Sequence, residues 1–195
     1  MRIIAGCLKG RKLKEPKGRN IRPTADRVKE AVFSIIAFDI QGKRVLDLFA
    51  GTGNLGLEAL SRGANYSVFV DSSREALTLV KGNIKLLGLE DRSDVLFMDA
   101  FKSIEYLDRN RDKFDIIFID PPYREGLYED IIKKIAVSGI MNEECIVVIE
   151  HPSDMKLEKH PDDMKMYKQK KYGNTKITIM KRTDSDENSC LSGQF

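Results

Sequence analysis

Short apolar runs alternate with amphipathic stretches along the middle of the chain, between residues 44 and 150. The runs are rich in Val, Ile, Leu and Phe and lack a period of two, which is typical of strands buried on both faces of a parallel sheet. They predict strands at Arg44–Phe49, Tyr66–Asp71, Asp94–Met98, Phe114–Asp120 and Cys145–Glu150. The stretches between them predict helices at Leu55–Arg62, Arg74–Leu87, Lys102–Arg109 and Leu127–Val137. This alternation predicts an α/β fold with a doubly wound parallel sheet.

The first 43 residues have a different pattern. Arg2–Ile4 and Arg11–Lys14 are predicted to pair as a β-hairpin, and a Pro-containing connector, Asn20–Thr24, follows. A helix with one buried apolar face is predicted over Ala25–Ala37, with Thr24 as its N-cap. Three basic side chains are expected to be exposed near its first turn, namely Arg22, Arg27 and Lys29. Residues 1–43 are therefore predicted to form a basic hairpin and helix extension of the main domain, which spans residues 44–182.

The C-terminal segment predicts a second hairpin and a tail. Two strand-like segments, Met164–Tyr172 and Thr175–Met180, are joined by Gly173-Asn174, and a Gly-Asn pair is a hairpin turn signal. The last segment, Thr183–Phe195, is polar and shows no periodicity. We predict that this tail is disordered, because it offers little apolar surface to bury.

Charge is unevenly distributed along the chain. Residues 1–30 contain ten basic and three acidic side chains, and residues 165–182 contain seven basic side chains and no acidic one. Residues 31–164 carry a net charge of −8, although the whole chain carries only +3. Because charges more than about 8 Å apart are screened at physiological salt, a polyanion responds to local patches. The two basic ends indicate either a nucleic-acid footprint or simply solvated faces.

Composition argues against several other classes of protein. No apolar run reaches the roughly 20 residues needed to span a bilayer, and the basic N-terminus has no apolar core of a secretory signal. We therefore expect a cytoplasmic location. Cys7, Cys145 and Cys190 are widely spaced and only two histidines are present, so neither a metal site nor a disulfide framework is expected.

A glycine-rich loop follows the first predicted strand. Its sequence runs from Asp47 to Gly56, Asp-Leu-Phe-Ala-Gly-Thr-Gly-Asn-Leu-Gly, and glycines there allow a tight turn and a close approach of a ligand. The loop also fits the dinucleotide fingerprint, with Asp71 following Gly51 by 20 residues, so an NAD enzyme is an alternative. Asp47 favours a cationic ligand, such as the methionine end of S-adenosylmethionine, over a pyrophosphate. The candidate cofactor-binding residues are Asp47, Phe49, Gly51, Gly53, Asn54, Asp71 (for a ribose diol), Asp99 (for an adenine amine) and Ala100.

The sequence Asp120-Pro121-Pro122-Tyr123 directly follows a predicted buried strand. This order resembles motif IV of amino methyltransferases. An exocyclic amine on a base is a poor nucleophile because its lone pair is delocalised, and two acceptors around the NH₂ group favour the reactive geometry. The Asp120 carboxylate and the Pro121 carbonyl are candidate acceptors, the prolines hold a rigid turn, and Tyr123 offers a stacking surface. All four, including Pro122, are candidate catalytic residues.

With both motifs in place, the chain resembles the RsmD family of bacterial methyltransferases, which act on a guanine N2 of small-subunit rRNA. The resemblance covers about residues 1–182 and includes Arg2–Gly6, Lys9–Leu13, Arg22–Phe33, Asp47–Gly53, Leu55–Leu60, Asp120–Tyr123, Gly126–Tyr128 and Lys171–Thr175. It implies a class I, Rossmann-like S-adenosylmethionine-dependent methyltransferase sheet whose final hairpin supplies an antiparallel strand. It also implies 16S rRNA, within a small subunit or an assembly intermediate, as the substrate.

Under this interpretation the basic ends contact RNA. The candidate RNA-binding residues are Arg2, Lys9, Arg11, Arg22, Thr24, Arg27, Lys170 and Lys171. No feature of the sequence demands a dimer, and we expect a monomer. The alternatives are a DNA adenine or cytosine amino methyltransferase, an NAD-binding oxidoreductase and a noncatalytic RNA-binding assembly factor. The oxidoreductase alternative leaves Asp120–Tyr123 without a role.

Overall fold

The computed structural model describes residues 1–16, 23–122, 127–157 and 160–183. The helices in these residues are α1 (Pro23–Ile35), α2 (Asn54–Ser61), α3 (Arg74–Leu87), α4 (Ala100–Arg109) and α5 (Leu127–Val137). The strands are β1 (Arg44–Asp47), β2 (Tyr66–Asp71), β3 (Ser93–Phe97), β4 (Phe114–Ile119), β5 (Met141–Pro152), β6 (Met164–Tyr172) and β7 (Thr175–Arg182). Short 3-10 turns occur at Ala37–Asp39 and Glu90–Arg92. The predicted α/β alternation is confirmed.

The described strands form one sheet in the order β3-β2-β1-β4-β5-β7-β6. The five strands from β3 to β5 are parallel, whereas β7 runs antiparallel to both β5 and β6. The final hairpin is thus confirmed, and it inserts its second strand between β5 and its first strand. The chain order reverses between β1 and β4, and ligands in such sheets bind where the order reverses, outside the carboxyl ends of the strands.

Both faces of the sheet are covered, and the two faces have separate cores. The first face, which includes Val45, Phe69 and Phe118, packs against α1, α2, α3 and the N-terminal hairpin. The second face, which includes Leu46 and Ile117, packs against α4 and α5. Because both faces of the sheet are covered, the strands have continuous apolar runs in the sequence. No helix among the described residues is long and apolar enough to cross a membrane.

The N-terminal hairpin pairs as predicted. Arg2 and Lys12 form an antiparallel bridge, and the Ile3 amide donates to the Arg11 carbonyl at 3.0 Å. The turn passes so close to the end of α2 that a Cβ on Gly6, where φ is +85°, would lie 1.9 Å from the Ser61 carbonyl oxygen. Glycine is therefore required at this contact. The hairpin shares the core of the first face with α1.

Two predictions for the first helix were wrong. Helix α1 begins at Pro23, so Thr24 lies inside the helix rather than before it as a cap. Proline fixes φ near the helical value and is favoured at the first helical position. Lys29 is not exposed: its side chain is 1% exposed because it faces Glu58 of α2.

Other predicted segments lie partly or wholly outside the described residues. These are residues 17–22, which include most of the connector and Arg22, residues 123–126, which include Tyr123, and residues 184–195 of the tail. Thr183 at the start of the tail is described, and its amide donates to the Asp163 carbonyl at 2.9 Å.

Candidate active site

Four carboxyl groups line the carboxyl ends of four adjacent strands. Asp71 ends β2, Asp47 ends β1, Asp120 directly follows β4 and Glu150 lies near the end of β5. Register places Asp47 beside Phe69 and Phe118, and Phe118 beside Val148. Since side chains alternate along strands, residues 71, 120 and 150 fall on the same first face as these partners. We call these four residues the acidic edge.

Asp47 is the most buried member of the acidic edge, at 2% exposure. Its Oδ2 accepts a hydrogen bond from the Gly56 amide in α2 at 3.0 Å. The pKa of Asp47 is raised to about 7, mainly by burial and also by the charges of Asp120 and Asp71, while the Gly56 hydrogen bond opposes the shift. A buried carboxyl group surrounded by other carboxyl groups suits a cationic ligand, because a positive charge would relieve the repulsion.

The glycine-rich loop is held between neighbouring strands. The Leu48 amide donates to the Phe118 carbonyl at 3.1 Å, and the Ala50 amide donates to the Val70 carbonyl at 2.9 Å. Gly51 has a φ of +55°, and its amide donates to Oδ2 of Asp71 at 2.9 Å. A Cβ on Gly51 would enter open space. The positive φ therefore explains the glycine, and the space beside it is available to a ligand.

The third glycine of the pattern, Gly56, has a different role from Gly51. A Cβ on Gly56 would lie 2.3 Å from Cε1 of Phe69 and 2.7 Å from Oγ of Ser67. Gly56 thus allows α2 to pack closely on β2, and this close packing positions the start of α2 over the acidic edge.

The remaining candidate cofactor residues occupy varied positions. Asp99 is exposed and caps α4 through Oδ1, which accepts from the amide of Phe101 at 2.9 Å, and Ala100 is the buried first residue of that helix. Asn54 does not offer a free amide oxygen, because its Oδ1 accepts from Nζ of Lys29 at 2.7 Å. Phe49 is half-buried against the core of the second face.

Two residues near this edge were missed by the sequence analysis. Phe97 pairs with Asp71 at the end of β3, is 52% exposed and lies 5.3 Å beneath the Arg74 guanidinium. Glu150 lies next to Asp120 across the β4–β5 pair. An exposed aromatic residue at a strand end is a weak sequence signal for Phe97, and the signal for Glu150 is its position at the end of the predicted strand Cys145–Glu150.

Asp120 and the start of its turn lie on the β4–β5 side of the acidic edge. We call this side the acceptor half, because it is where we expect the methyl acceptor to bind. The Asp120 side chain reaches solvent, yet protein atoms around its carboxyl group raise its pKa to about 6. Pro121 is buried and Pro122 is exposed. Tyr123 lies outside the described residues, so its predicted stacking role stays a prediction.

The candidate RNA-binding residues do not all share one surface. Arg2, Lys9, Arg11 and Arg27 are exposed, and the side chain of Thr24 is not among those described. On β6, Lys170 lies opposite Ile177, which lies opposite Glu150, so these three residues form a row on the first face. Lys171 projects to the second face because side chains alternate along a strand.

A cavity of about 440 Å³ opens at the opposite edge of the sheet. It is lined by residues at the amino ends of the strands, including Lys43, Asp115 and Ile146. Ligands of open α/β sheets bind at the carboxyl ends, so we assign the site to the acidic edge instead.

Replacing Asp47 by asparagine is expected to stabilise the protein. Because the folded-state pKa is raised from 3.8 to about 7, wild-type stability falls as pH rises between these values, and the amide removes this loss. At pH 8 the gain in unfolding free energy is expected to reach up to about 4 kcal/mol and to vanish near pH 4. Urea unfolding across this range measures it, with the exposed Asp91→Asn as control. An equal gain at every pH would contradict the assignment to Asp47 ionisation.

The chain is similar to proteins of known family and structure. The family described as conserved hypothetical protein 95 matches residues 1–181. Ribosomal RNA small subunit methyltransferase D of Escherichia coli (strain K12) is 31% identical over 187 residues, which cover 96% of this chain and 92% of that protein. The solved structure of yhhF from Escherichia coli has a TM-score of 0.83 at 29% identity and covers 94% of this chain and 98% of that chain.

A more distant structure defines the fold. SMU.776, solved in complex with S-adenosylhomocysteine, has a TM-score of 0.69 at 19% identity and covers 83% of this chain and 50% of that chain. The sheet order and its antiparallel β7 are those expected for the Rossmann-like class I fold of S-adenosylmethionine-dependent methyltransferases. The chain therefore belongs to the conserved hypothetical protein 95 family, the RsmD family of rRNA small subunit methyltransferases.

Proposed function

We propose that this chain transfers a methyl group from S-adenosylmethionine to the exocyclic N2 amine of a guanine in 16S rRNA. The substrate is a small ribosomal subunit or an assembly intermediate in the cytoplasm, and the enzyme acts as a monomer. The observation that carries the proposal is the acidic edge, which places Asp120 beside the glycine-rich loop. Relatives named ribosomal RNA small subunit methyltransferase D support the choice of RNA.

The residues of the acidic edge fit S-adenosylmethionine. Asp47 offers a buried carboxyl group to the cationic methionine end, and Asp71 reaches the loop where a ribose diol can bind. The open space at Gly51 admits a ligand close to the backbone. When bound, the cofactor supplies a methyl group activated by the sulfonium. A pyrophosphate fits poorly, because Asp47, Asp71 and Asp120 would repel it.

Asp120 performs the chemistry that the chain itself contributes. Its carboxylate accepts a hydrogen bond from the N2 amine and so favours the geometry in which the nitrogen lone pair is available. As the new N–C bond forms and the S–C bond breaks, the nitrogen must lose a proton. The pKa of Asp120, about 6, allows it to accept that proton near neutral pH. Holding both reactants in place can supply roughly 7–11 kcal/mol of the barrier.

The row on the first face predicts which lysine of β6 contacts RNA. Lys170 lies in the row that leads to Glu150, whereas its neighbour Lys171 projects to the second face. Lys170→Ala is expected to weaken RNA binding several-fold, because one phosphate contact is lost. The slope of the logarithm of the binding constant against the logarithm of salt concentration is expected to fall in magnitude by about one. Lys171→Ala is the matched control, with a smaller effect on both. Filter binding to small-subunit rRNA over a salt series measures both quantities, and equal effects of the two variants would contradict this footprint.

The decisive experiment supplies methyl-labelled S-adenosylmethionine with small subunits from cells that lack this modification. The rRNA is then digested to nucleosides and mapped. Labelled N2-methylguanosine at one position is the expected result. Label in DNA or protein alone would overturn the choice of acceptor, and absence of transfer to any acceptor would favour a noncatalytic assembly factor.

A further inference from the structure

Glu150 lies directly beside Asp120. Parallel register pairs Ile119 of β4 with Ile149 of β5, and the next residue on each strand is the acid. Neighbouring strands lie about 4.8 Å apart, so the two carboxyl groups leave adjacent points of the sheet. Because Phe118 and Val148 belong to the core of the first face, Asp120 and Glu150 both project from that face.

Glu150 has no structural partner among the described residues that explains it. Its side chain is half-buried, and no hydrogen bond or ion pair to its carboxyl group is present among the described residues. Opposite it on β7 lies Ile177, which is buried in the core of the first face. Partial burial of a carboxyl group beside this apolar core costs free energy, which a ligand that offers N–H donors would offset.

Electrostatic repulsion makes the position still less favourable. Burial raises the pKa of Glu150 to about 8, and the charge of Asp120 contributes to the increase. Hydrogen bonds from N–H donors would favour the ionised carboxylates and offset this repulsion. The two groups are thus arranged to receive a ligand that presents two neighbouring N–H donors.

Guanine is the nucleobase that presents an exocyclic amine beside a ring N–H. Its N2 amine adjoins N1–H, whereas the adenine N6 amine adjoins an unprotonated N1 and the cytosine N4 amine adjoins an unprotonated N3. When Glu150 is ionised, its carboxylate therefore matches guanine and repels the lone pair on the ring nitrogen of the other two bases. Single-stranded RNA bases are commonly recognised on this Watson–Crick edge.

We propose that Glu150 determines specificity for guanine by accepting a hydrogen bond from N1–H while Asp120 accepts one from the N2 amine. This inference rests on the proposed function, and it adds a residue to the acceptor half of the site. Glu150 thereby determines which base is methylated, and Asp120 orients the N2 amine and accepts its proton.

The test uses small subunits in which the mapped guanine is replaced by 2-aminopurine, which keeps the N2 amine but has an unprotonated N1. At about pH 9, above the Glu150 pKa of about 8, the side chain is mostly ionised, and the wild-type enzyme is expected to prefer guanine by at least about 100-fold in kcat/KM. In Glu150→Gln, the side-chain amide can offer either its oxygen or its NH₂ group to N1. The preference for guanine is therefore expected to fall at least about tenfold. Glu144→Gln, an exposed position on the same strand, is expected to keep the wild-type preference.

The outcomes separate this inference from the proposed function. If the wild-type enzyme methylates guanine without disfavouring 2-aminopurine, or if Glu150→Gln slows both substrates equally, the role of Glu150 is wrong and the proposed function stands. If no N2-methylguanosine forms with wild-type enzyme, the proposed function itself fails. Glu150→Asp provides a second test in case the amide variant misfolds, because it keeps a carboxyl group. It is expected to retain the preference for guanine over 2-aminopurine but to transfer the methyl group more slowly. Loss of the preference in that variant would also contradict the inference.

Discussion

Replacing Asp120 by alanine is expected to lower the rate of methyl transfer about 1,000-fold while cofactor affinity stays within about fivefold of wild type. The variant removes both the hydrogen-bond acceptor for the amine and the group that receives its proton. Asp120 lies on the acceptor side of the reversal between β1 and β4, and the cofactor candidates Asp47 and Asp71 lie on the other side. The chemical step should therefore be affected much more than cofactor binding.

Single-turnover rates with saturating cofactor and calorimetric binding of S-adenosylhomocysteine measure these two quantities. The exposed Asp162→Ala serves as a control for removal of one negative charge. An equal loss of rate and cofactor affinity in Asp120→Ala would assign Asp120 to the cofactor site instead. Full activity of the variant in cells would favour a noncatalytic role for the chain.

Much of the acidic edge was predictable from sequence because of one property of parallel sheets. The carboxyl ends of parallel strands meet at the same edge, so acids that end predicted strands must come together. Asp47, Asp71 and Asp120 each follow a strongly apolar run, and all three lie at this edge. The positions of β1 to β4 along the chain thus contained most of the information about the site.

Glu150 and Lys29 show what the sequence did not reveal. Glu150 ends a predicted strand like the other acids, but only the register of β5 against β4 places it next to Asp120, 30 residues earlier in the chain. Lys29 follows the charge pattern of an exposed helix face, and its burial depends on Glu58 in another helix. Both positions depend on contacts between residues far apart in the chain, and the local periodicity of the sequence does not report such contacts.

The Lys29–Glu58 pair joins the N-terminal segment to the cofactor loop. Nζ of Lys29 lies 3.0 Å from Oε2 of Glu58 and donates to the Arg2 carbonyl and to Oδ1 of Asn54, both at 2.7 Å. Glu58 also accepts from the amides of Ile4 and Ala5 at 2.8 and 3.0 Å. Burial lowers the pKa of Lys29, and the Glu58 carboxylate opposes this change. The hairpin that carries candidate RNA-binding residues is thereby fixed to the helix that follows the glycine loop.

Lys29→Met is therefore expected to lower the free energy of unfolding by about 2–3 kcal/mol, because the buried Glu58 carboxylate loses its lysine partner but keeps its ion pair with Arg62 at 2.8 Å. Affinity for S-adenosylhomocysteine should fall as well, since Asn54 loses the donor that holds it beside Gly53. Urea unfolding measures the first effect and calorimetry the second. Asp112→Ala, which breaks the more exposed pair with Arg44, is the control and should change stability by less than about 1 kcal/mol. Comparable losses in the two variants would show that Lys29 contributes no more than a surface ion pair does.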